Sequence, residues 1–513
     1  YAQDKWDVSN NFQLTYGLRM DIPIFFDTPA ENAPFNTYAR GRAYATNSKG
    51  TEFLANPDWD VKTNHRLSSS PLWSPRLGFR WDIANNRRYI LRGGVGIFTG
   101  RIPFVWISNN FSNTGIQLSS YDVFNPKGID LILNPDGQDA NAQKLKATSG
   151  SQIINVYDHH FKFAQNLRLN LGFDFDLAGI DWTAEAIYSK TLNDIYYKDL
   201  TIDETGKTFG QTYGYLWDNR PMMTSTTGGT EFSHVYGLFN TSKGYTVNLS
   251  LKAEKHFDFG LDLMASYTWT RSRSVNNGSS SVAASNFRYN YTYRNPNNPE
   301  LGNSAFNVPH RIQASAFYHL RYGANKAWTT TLGIIYQAKS GSPYTLYYYG
   351  DVNGDGQNGN DLFYIPTDEQ IDQMRFEETT YNKQKLTEDM QRALLKEWVG
   401  NDSYMSKHRG EYFERYADNL AFEHHFDIHV AQKYQFKVGR QVNAIELSLD
   451  ILNVANLLNK DWGHTYGDGF GIYYSPVNYQ GNGYYQFTGQ YAVRNYSDYY
   501  SRWRGQLGLK YTF

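Results

Sequence analysis

The sequence predicts an all-β fold, namely a transmembrane antiparallel up-and-down β-barrel with long extracellular loops. Three observations predict it: long runs in which apolar and polar residues alternate, strands of bilayer-spanning length, and connections that are alternately short and long. Because successive side chains of a β-strand point to opposite faces, each such run gives the sheet one apolar face and one polar face.

The alternation is clear from the start of the chain. In residues 11–24, Leu14 and Tyr16 alternate with Thr15 and Gly17. Comparable runs lie at 161–177, 244–256 and 257–271. These runs exceed the average soluble strand of roughly 5–6 residues and match the roughly 9–11 residues that a tilted strand needs to cross a bilayer. In a soluble β-sandwich the apolar face would meet a second sheet, whereas here the polar face repeatedly carries charged residues beside glycine, as a water-filled lumen does. The pattern therefore favours the membrane barrel over the sandwich.

About thirteen strands can be assigned in this way. They span roughly 1–8, 11–24, 75–83, 88–99, 161–177, 180–191, 244–256, 257–271, 308–320, 327–340, 422–436, 442–453 and 502–513. Bacterial single-chain barrels use even numbers of strands, and an unpaired edge in lipid leaves backbone groups that cost several kcal/mol each. We therefore expect either that further strands precede this chain or that one more strand lies within a loop.

The connections between these strands alternate in length. Short links fall near 9–11, 85–87, 178–179, 256–258, 322–326 and 439–441. Long polar stretches rich in Gly and Tyr occupy about 25–72, 100–160, 192–243, 271–307, 341–421 and 455–501. Outer-membrane barrels have short periplasmic turns and long extracellular loops, so this asymmetry predicts one β-barrel domain over residues 1–513. Within it, residues 341–421 are expected to form a long extracellular loop.

Composition and motifs exclude several classes of function. The formal net charge of −1 leaves no broad basic field for nucleic acid, and the absence of cysteine excludes disulfides, thiolate metal sites and a Cys nucleophile. No G-x-S-x-G, H-E-x-x-H or phosphate-loop motif occurs, so we predict that the chain is not an enzyme. No apolar stretch approaches the roughly 18 residues of a transmembrane helix. The first residues lack a signal-peptide pattern, so we expect a processed chain or a fragment.

The last predicted strand ends on an aromatic residue. Leu509, Tyr511 and Phe513 share one face of this strand. A final aromatic residue in this position resembles the C-terminal sorting signal that the barrel-assembly machinery reads in outer-membrane proteins. The alternative is an ordinary amphipathic strand that ends here. We expect these three residues to form the signal.

One segment has the spacing of a calcium-binding loop. From Asp351 it reads D-V-N-G-D-G-Q-N-G-N-D, with Asn353 and Asp355 at the third and fifth positions, glycine at the sixth and Gln357 at the seventh. Alternate oxygen-bearing side chains around a glycine turn can wrap one hard cation. The twelfth position holds leucine where an EF-hand has a bidentate Glu, so Asp361 is expected to substitute. The alternative is a solvated Asn-Gly and Asp-Gly turn. No other cofactor is required.

The long loop at 341–421 also contains signals for the start of helices. Thr367 stands three residues before Gln370, a capping-box spacing, and Thr387 precedes an acidic turn and an apolar run. We expect one or two short helices, which either cover a ligand or partner outside the membrane or fill space against neighbouring loops. The tyrosines at 344 and 347–349 are interpreted as an interfacial aromatic girdle rather than as a platform for sugars or peptides.

Histidine pairs and charged residues on the strands are further candidates for functional sites. The adjacent histidines at 159–160 and 424–425 point to opposite faces if they lie on strands, so neither pair can chelate one metal ion. We predict that five charged residues face the lumen: Arg168, Asp174, Glu185, Arg311 and Asp450. We expect them to pair with other charges, and the alternative is contact with a substrate or with a plug inside the barrel.

Five motifs occur in a fixed order along the chain. They are the hairpin Q-D-K-W at 3–6 with G-L-R-M-D at 17–21, then S-P-R-L-G-F at 74–79, R-G-G-V-G-I-F-T-G-R-I-P at 92–103, N-V-P-H-R-I at 307–312 and L-D-I-L-N-V-A-N-L-L-N at 449–459. The hairpin resembles the Q-D-x-W and G-x-R-x-D hairpin of TonB-dependent receptors. The later motifs resemble the Oar-like, carboxypeptidase-regulatory-like group of that family.

The resemblance implies a barrel of about 22 strands around an N-terminal plug that carries the TonB box, with this chain as roughly strands 10 to 22. It implies active uptake of an unidentified substrate across the Gram-negative outer membrane, driven by the inner-membrane proton gradient through TonB. The implied partners are outer-membrane lipid, the TonB system through a plug outside this chain, the barrel-assembly machinery, and a surface lipoprotein or protein at the loops. Two alternatives stay open: an adhesive or structural barrel whose loops bind proteins, and a passive channel of about 14 strands with one further strand around 484–493.

Overall fold

A computed structural model describes residues 1–39, 45–46, 52–53, 61–117, 132–146, 152–225, 232–381, 383–467, 472–487 and 496–513. Its main feature is a path of thirteen antiparallel strands, which we call the wall. The wall strands are Ala2–Ser9, Phe12–Asp21, Leu72–Asp82, Tyr89–Thr99, Gln165–Leu177, Ile180–Asp199, Tyr245–Phe257, Leu261–Ser274, His310–Tyr322, Trp328–Lys339, Glu423–Val438, Gln441–Leu452 and Arg504–Thr512. Each one falls where the alternation predicts a strand, and each pairs with the next one along the chain.

The strand Ala2–Ser9 and the strand Arg504–Thr512 stand at the two ends of this path. Among the described strands, each of them pairs on one side only. The described wall is therefore an open sheet of neighbouring hairpins.

Apolar side chains line up across the wall on one face. The register places Leu332 opposite Val430, Val430 opposite Leu449, and Leu449 opposite Leu507. These four side chains are between 38% and 77% exposed. They point away from the protein, as a surface in contact with lipid does, whereas the inner face of a sandwich would bury them.

The predicted alternation of short and long connections is confirmed. Short turns occupy residues 10–11, 83–88, 178–179, 258–260, 323–327 and 439–440. One of the two-residue turns consists of Ala178 and Gly179, whose φ angles are 58° and 67°. Positive φ at both residues is the hairpin geometry that matches the twist of the flanking strands.

The long connections lie at 22–71, 100–164, 200–244, 275–309, 340–422 and 453–503, and we call their described parts the loop layer. Its α-helices are Ala33–Ala39, Phe104–Ser112, Gln138–Lys146, Phe209–Tyr213, Ala283–Arg288, Asp368–Gln373, Glu388–Asn401, Val454–Leu458 and Asp498–Ser501, with 3-10 turns at Pro135–Gly137 and Met405–Lys407. Its strands are Ala45–Thr46, Glu52–Phe53, Gln152–Tyr157, Ile202–Thr208, Pro221–Ser225, Phe232–Thr241, Gly302–Asn303, Pro343–Tyr349, Tyr364–Ile365, Arg375–Phe376, Thr379–Tyr381, Gln384–Leu386, Glu411–Tyr412, Asp418–Asn419, Ile472–Gly481 and Tyr484–Phe487. None of the described helices is long and apolar enough to cross a bilayer.

One wall strand is longer than predicted. The sequence predicts an end at residue 191, but Ile180–Asp199 continues and pairs with Phe232–Thr241, which in turn pairs with Gln152–Tyr157 in parallel. Beyond the wall its apolar side chains Ile195 and Tyr197 are only 7% and 3% exposed. The strand continues because these residues enter a protein core in the loop layer instead of facing lipid.

The largest core of the loop layer combines three long connections. Phe209 and Tyr215 come from 200–244, Tyr344 and Phe363 from 340–422, and Val477 from 453–503, and all five are buried together. A strand of the third connection, Ile472–Gly481, lies beside Pro343–Tyr349 in parallel. Side chains far apart in the sequence therefore fix the shape of the layer.

The tyrosines of Pro343–Tyr349 correct one prediction. Tyr344 and Tyr348 are 3% and 2% exposed within this core, and Tyr347 packs against Tyr291 with ring centroids 5.4 Å apart. Only Tyr349 is exposed, at 53%. The aromatic girdle interpretation is wrong for this segment, because its rings pack against other loops instead of standing at a membrane surface.

Both helices of the connection 340–422 begin at the expected threonines. Thr367 and Gln370 form a reciprocal capping box before Asp368–Gln373, and Thr387 accepts a hydrogen bond from a backbone N–H in the first turn of Glu388–Asn401. The second helix places Leu395 and Trp398 in the large core. These helices pack on neighbouring loops.

The segment considered for a fourteenth strand, 484–493, lies only partly within the described residues. Its described part is the strand Tyr484–Phe487, which pairs with Ile472–Gly481 and with Arg375–Phe376. This strand belongs to the loop layer and not to the wall. Residues 488–493 lie outside the described residues.

Candidate functional site

The segment Asp351–Asp361, which we call the acidic loop, follows the strand Pro343–Tyr349 and contributes Val352 to the large core. Unlike a solvated turn, it is mostly buried. Asn353, Asp355, Asn360 and Asp361 are each at most 2% exposed. Polar side chains so deeply buried require partners within the protein or a bound ion.

The first half of the loop curls around Asp351. Its carboxylate accepts hydrogen bonds from the backbone N–H groups of Gly354 at 2.7 Å, Asp355 at 3.0 Å and Gly356 at 2.9 Å. Gly354 and Gly356 have φ angles of 80° and 83°, which L side chains rarely adopt. The sharp turn expected from glycine at the sixth position is therefore present.

Asp355 lies deeper than Asp351. Its Oδ1 accepts the backbone N–H of Gln357 at 2.8 Å, and its Oδ2 accepts the side-chain amide of Asn360 at 2.6 Å. Burial, together with the negative charges of Asp361 and Asp351, raises the pKa of Asp355 well above its usual range. Three carboxylates therefore share one buried region.

Asp361 closes the loop from the other side. Its Oδ2 accepts the backbone N–H groups of Val352 at 2.9 Å and Asn353 at 3.3 Å. Burial raises the pKa of Asp361 to about 7, with Asp351 acting in the same direction and the Arg220 guanidinium opposing it. Asp361 thus ties the end of the loop to its beginning.

A buried arginine from a different connection reaches this loop. Arg220 is 1% exposed, and its Nε lies 3.0 Å from Asp218, while its Nη1 lies 3.3 Å from Asp361 and its Nη2 donates to the Leu362 carbonyl at 3.1 Å. Tyr412 donates a further hydrogen bond to Asp218 at 2.7 Å. One guanidinium therefore serves two buried carboxylates.

The predicted calcium ligands are brought together only in part. Asp351, Asn353 and Asp355 lie around one turn, but the Gln357 amide points to a neighbouring loop and donates to the Tyr236 hydroxyl at 3.3 Å. In the part of the chain that the structure describes, no three His, Asp or Glu side chains stand in geometry ready to hold a metal ion. Calcium binding by this loop stays a prediction.

Sequence spacing missed two residues of this site. Asn360 stands at the tenth position, where an EF-hand comparison assigns no ligand, yet its amide contacts Asp355. Arg220 is 141 residues from Asp361, and no local pattern connects them. The sequence signal that could have identified Asn360 is its position directly before Asp361, which adds a second oxygen-bearing side chain at the end of the loop.

The polar face of the wall carries a second group of charges. Arg92 lies 3.1 Å from Asp174 and 2.9 Å from Glu185, with Gly172 in register between Arg92 and Glu185. A Cβ atom on Gly172 would stand 2.8 Å from the Arg92 guanidinium carbon, so glycine leaves room for the arginine to cross the strand. The predicted pairing of Asp174 and Glu185 is observed, with Arg92 as their partner.

The remaining three residues predicted to face the lumen, and the adjacent histidines at 424–425, have neighbours other than Arg92. Asp450 contacts His429 at 2.6 Å. Arg168 lies in register with Gly96 and Ser189, and Arg311 with Thr268 and Lys339. The adjacent histidines have separate partners: His424 contacts the Tyr336 hydroxyl at 2.8 Å and His425 contacts Thr465 at 3.2 Å.

The proposed sorting residues stand on the outer face at the end of the wall. Leu509, Tyr511 and Phe513 are 77%, 54% and 84% exposed. The Tyr511 hydroxyl donates to Asn443 at 2.6 Å, and its ring stacks on that of Phe513. Recognition of these residues by the barrel-assembly machinery stays a prediction.

The sequence model of the family described as outer membrane beta barrel domain matches residues 1–471. The chain belongs to this family. The wall is thus part of an outer-membrane β-barrel domain, which accounts for its exposed apolar face. No curated protein matches the chain.

Among solved structures, the chain is similar to the outer membrane transporter YddB from Escherichia coli, with 12% identity over 88% of this chain and 49% of that one and a TM-score of 0.36. It is also similar to the copper transporter OprC, with 10% identity, coverage of 88% and 41%, and a TM-score of 0.33. A mutant of the ferric enterobactin receptor PfeA from Pseudomonas aeruginosa gives 9% identity, coverage of 88% and 38%, and a TM-score of 0.37. The chain spans less than half the length of each of these proteins.

Proposed function

We propose that this chain is the C-terminal part of a TonB-dependent outer-membrane transporter of the Oar-like group, forming about 13 strands of a barrel of about 22. The transporter takes up a substrate across the outer membrane with energy supplied through TonB. Coupling to TonB runs through a plug that precedes such strands in this family, so no residue of this chain is assigned to it.

The observation that carries the proposal is a wall with two different faces. One face presents exposed apolar rows such as Leu332 and Val430, and the other holds paired charges such as Arg92 with Asp174 and Glu185. A charged inner face suits a lumen filled by water and by a polar plug.

The first hairpin supports the more specific assignment. The Q-D-K-W motif lies on Ala2–Ser9 and the G-L-R-M-D motif on Phe12–Asp21, and these two strands pair. The Tyr16 hydroxyl donates to Asp4 at 3.0 Å, and Arg19 pairs with Asp21 at 2.7 Å. The residues that resemble TonB-dependent receptors thus form one local unit.

A second candidate function is adhesion or protein binding by the loops without transport. The observation that favours it is the loop layer itself, whose connections share large buried cores and small sheets. A surface lipoprotein or another protein outside the cell is the partner that such a layer would bind.

The test uses the product of the complete gene, purified in detergent and in lipid bilayers. We expect it to bind the purified periplasmic domain of TonB and to conduct little current across a planar bilayer, because a plug fills the lumen. A matched variant that lacks only the proposed TonB box should lose the TonB binding and keep the low conductance.

Two results would contradict the transporter. Steady ohmic current without TonB binding would identify a passive channel. Absence of both current and TonB binding, together with binding of cells to the immobilised complete protein, would identify the adhesive barrel.

A further inference from the structure

The acidic loop holds more negative charge than the protein balances. Asp218 and Asp361 share the Arg220 guanidinium. Within the described residues, every donor to the Asp351 and Asp355 carboxylates is a neutral backbone or side-chain amide. Burying carboxylates without a countercharge is costly, so this charge is neutralised either by protons or by a bound cation.

Asn360 supplies a second and independent indication. Its side chain is fully buried, and its Nδ2 lies 2.6 Å from Asp355 Oδ2. Its Oδ1 has no hydrogen-bond partner among the described residues. A buried amide oxygen without a donor, held beside a buried carboxylate, is a coordination position for a hard cation.

We propose that Asp351, Asp355, Asn353 and Asn360 bind one Ca²⁺ through side-chain oxygens, with backbone carbonyls and water completing the shell. Calcium accepts six to eight oxygen ligands in flexible geometry, whereas Mg²⁺ demands near-ideal octahedral geometry. Coordination requires these side chains to rotate, because the Asp351, Asn353 and Asp355 oxygens accept N–H groups in this structure. Asp361 acts as a positioning residue, because its carboxylate holds the Val352 and Asn353 backbone and is itself held by Arg220.

The ligand set differs from the one that the spacing of the sequence suggests. Gln357 faces Tyr236, so it connects the loop to a neighbour and does not coordinate the ion. Asn360 takes its place. Only two of the proposed ligands are carboxylates, which agrees with the weak calcium sites of extracellular modules.

The proposed ion would stabilise contacts among three connections. The Asn353 carbonyl accepts the backbone N–H of Met223 at 2.6 Å, and the Asn360 carbonyl accepts that of Thr292 at 2.9 Å. These donors belong to 200–244 and 275–309, while the acidic loop belongs to 340–422. Calcium outside the cell therefore orders the loop layer, whether the barrel transports a substrate or binds a partner.

The experiment uses the complete protein in detergent after removal of metal with EDTA. Calorimetric titration with CaCl2 is expected to show one Ca²⁺ per chain with a dissociation constant of about 10⁻⁴ to 10⁻³ M, and titration with MgCl2 much weaker binding. Calcium should also slow tryptic cleavage within 340–422. Absence of saturable calcium binding by the wild type would overturn the proposal.

Variants locate the site. Asp351→Asn with Asp355→Asn should abolish calcium binding, while the matched control Asp389→Asn, whose side chain is 93% exposed, should bind as the wild type does. Asn360→Asp adds a carboxylate and should bind calcium about tenfold more tightly, which tests the site even if the double variant does not fold. Binding by the double variant and by Asn360→Asp equal to that of the wild type would show surface association only and overturn the proposal.

Discussion

The wall and the loop layer use the same residue types in opposite ways. In the wall, apolar side chains such as Leu507, which is 77% exposed, point outward, and charges pair on the other face. In the loop layer, Tyr348 is 2% exposed, and the Arg220 guanidinium is completely buried against carboxylates. The effect of a substitution in the wall therefore depends on the surrounding lipid, and that of a substitution in the loop layer depends on neighbouring protein side chains. We expect substitutions in the two regions to change different measurable properties.

The largest effect is expected from Arg220→Met in the loop layer. Removing one partner of a buried ion pair costs about 3–5 kcal/mol, because Asp218 and Asp361 remain buried without their cation. Proteolysis should then cleave the loop layer rapidly, while the wall keeps the heat-modifiable gel mobility of a folded barrel. The matched control is Arg409→Met, whose partner Asp368 is half exposed. Equal resistance of both variants to proteolysis would show that the stability of the loop layer does not depend on the contacts of Arg220 with Asp218 and Asp361.

In the wall, Leu332→Arg tests the outer face. A charge there costs about 2–4 kcal/mol near the bilayer midplane, so the free energy of unfolding in lipid should fall by that amount. Thr331→Arg, on the opposite face of the same strand, should cost much less. Urea unfolding in vesicles measures both values. Equal effects would mean that the two faces have the same surroundings.

A substitution at the end of the last wall strand tests assembly into the outer membrane rather than stability. Phe513→Ser is expected to lower the amount of protein in the outer membrane, because the final aromatic residue belongs to the proposed sorting signal. Immunoblots of membrane fractions measure it, with Leu507→Ser on the same strand as the control. Unchanged membrane levels of Phe513→Ser would remove the sorting role.

The smallest effect is expected on the inner face of the wall. In Gly172→Ala the added Cβ displaces the Arg92 guanidinium from Glu185, and a partly exposed ion pair contributes at most about 1 kcal/mol. Gly78→Ala is the matched control, since its Cβ would meet only an ordinary contact at 3.6 Å. Unfolding midpoints of the two variants measure the difference. A decrease in the free energy of unfolding larger than about 1 kcal/mol would indicate that Arg92 makes stronger interactions than a surface ion pair.

The sequence was sufficient to predict the wall but not the loop layer, for a physical reason. A wall strand contacts its sequence neighbours and two fixed environments, so alternation alone marks it, as in Trp328–Lys339. In the layer, Thr367 and Thr387 marked helix starts because capping is local. The burial of Tyr344 depends on Val477, and the role of Arg220 depends on Asp361, so neither leaves a local pattern.

Contact between lipid and the outer face of the wall can be measured with spin labels. Because the chain contains no cysteine, single substitutions Leu332→Cys, Ile334→Cys and Thr331→Cys can each carry one nitroxide label in protein reconstituted into vesicles. Collision with oxygen, which dissolves in lipid, and with a water-soluble nickel complex is then measured by electron paramagnetic resonance. We expect high oxygen and low nickel accessibility at 332 and 334, and the reverse at 331. Labels at 332 and 334 that are accessible to nickel, or shielded from both reagents, would contradict contact with lipid.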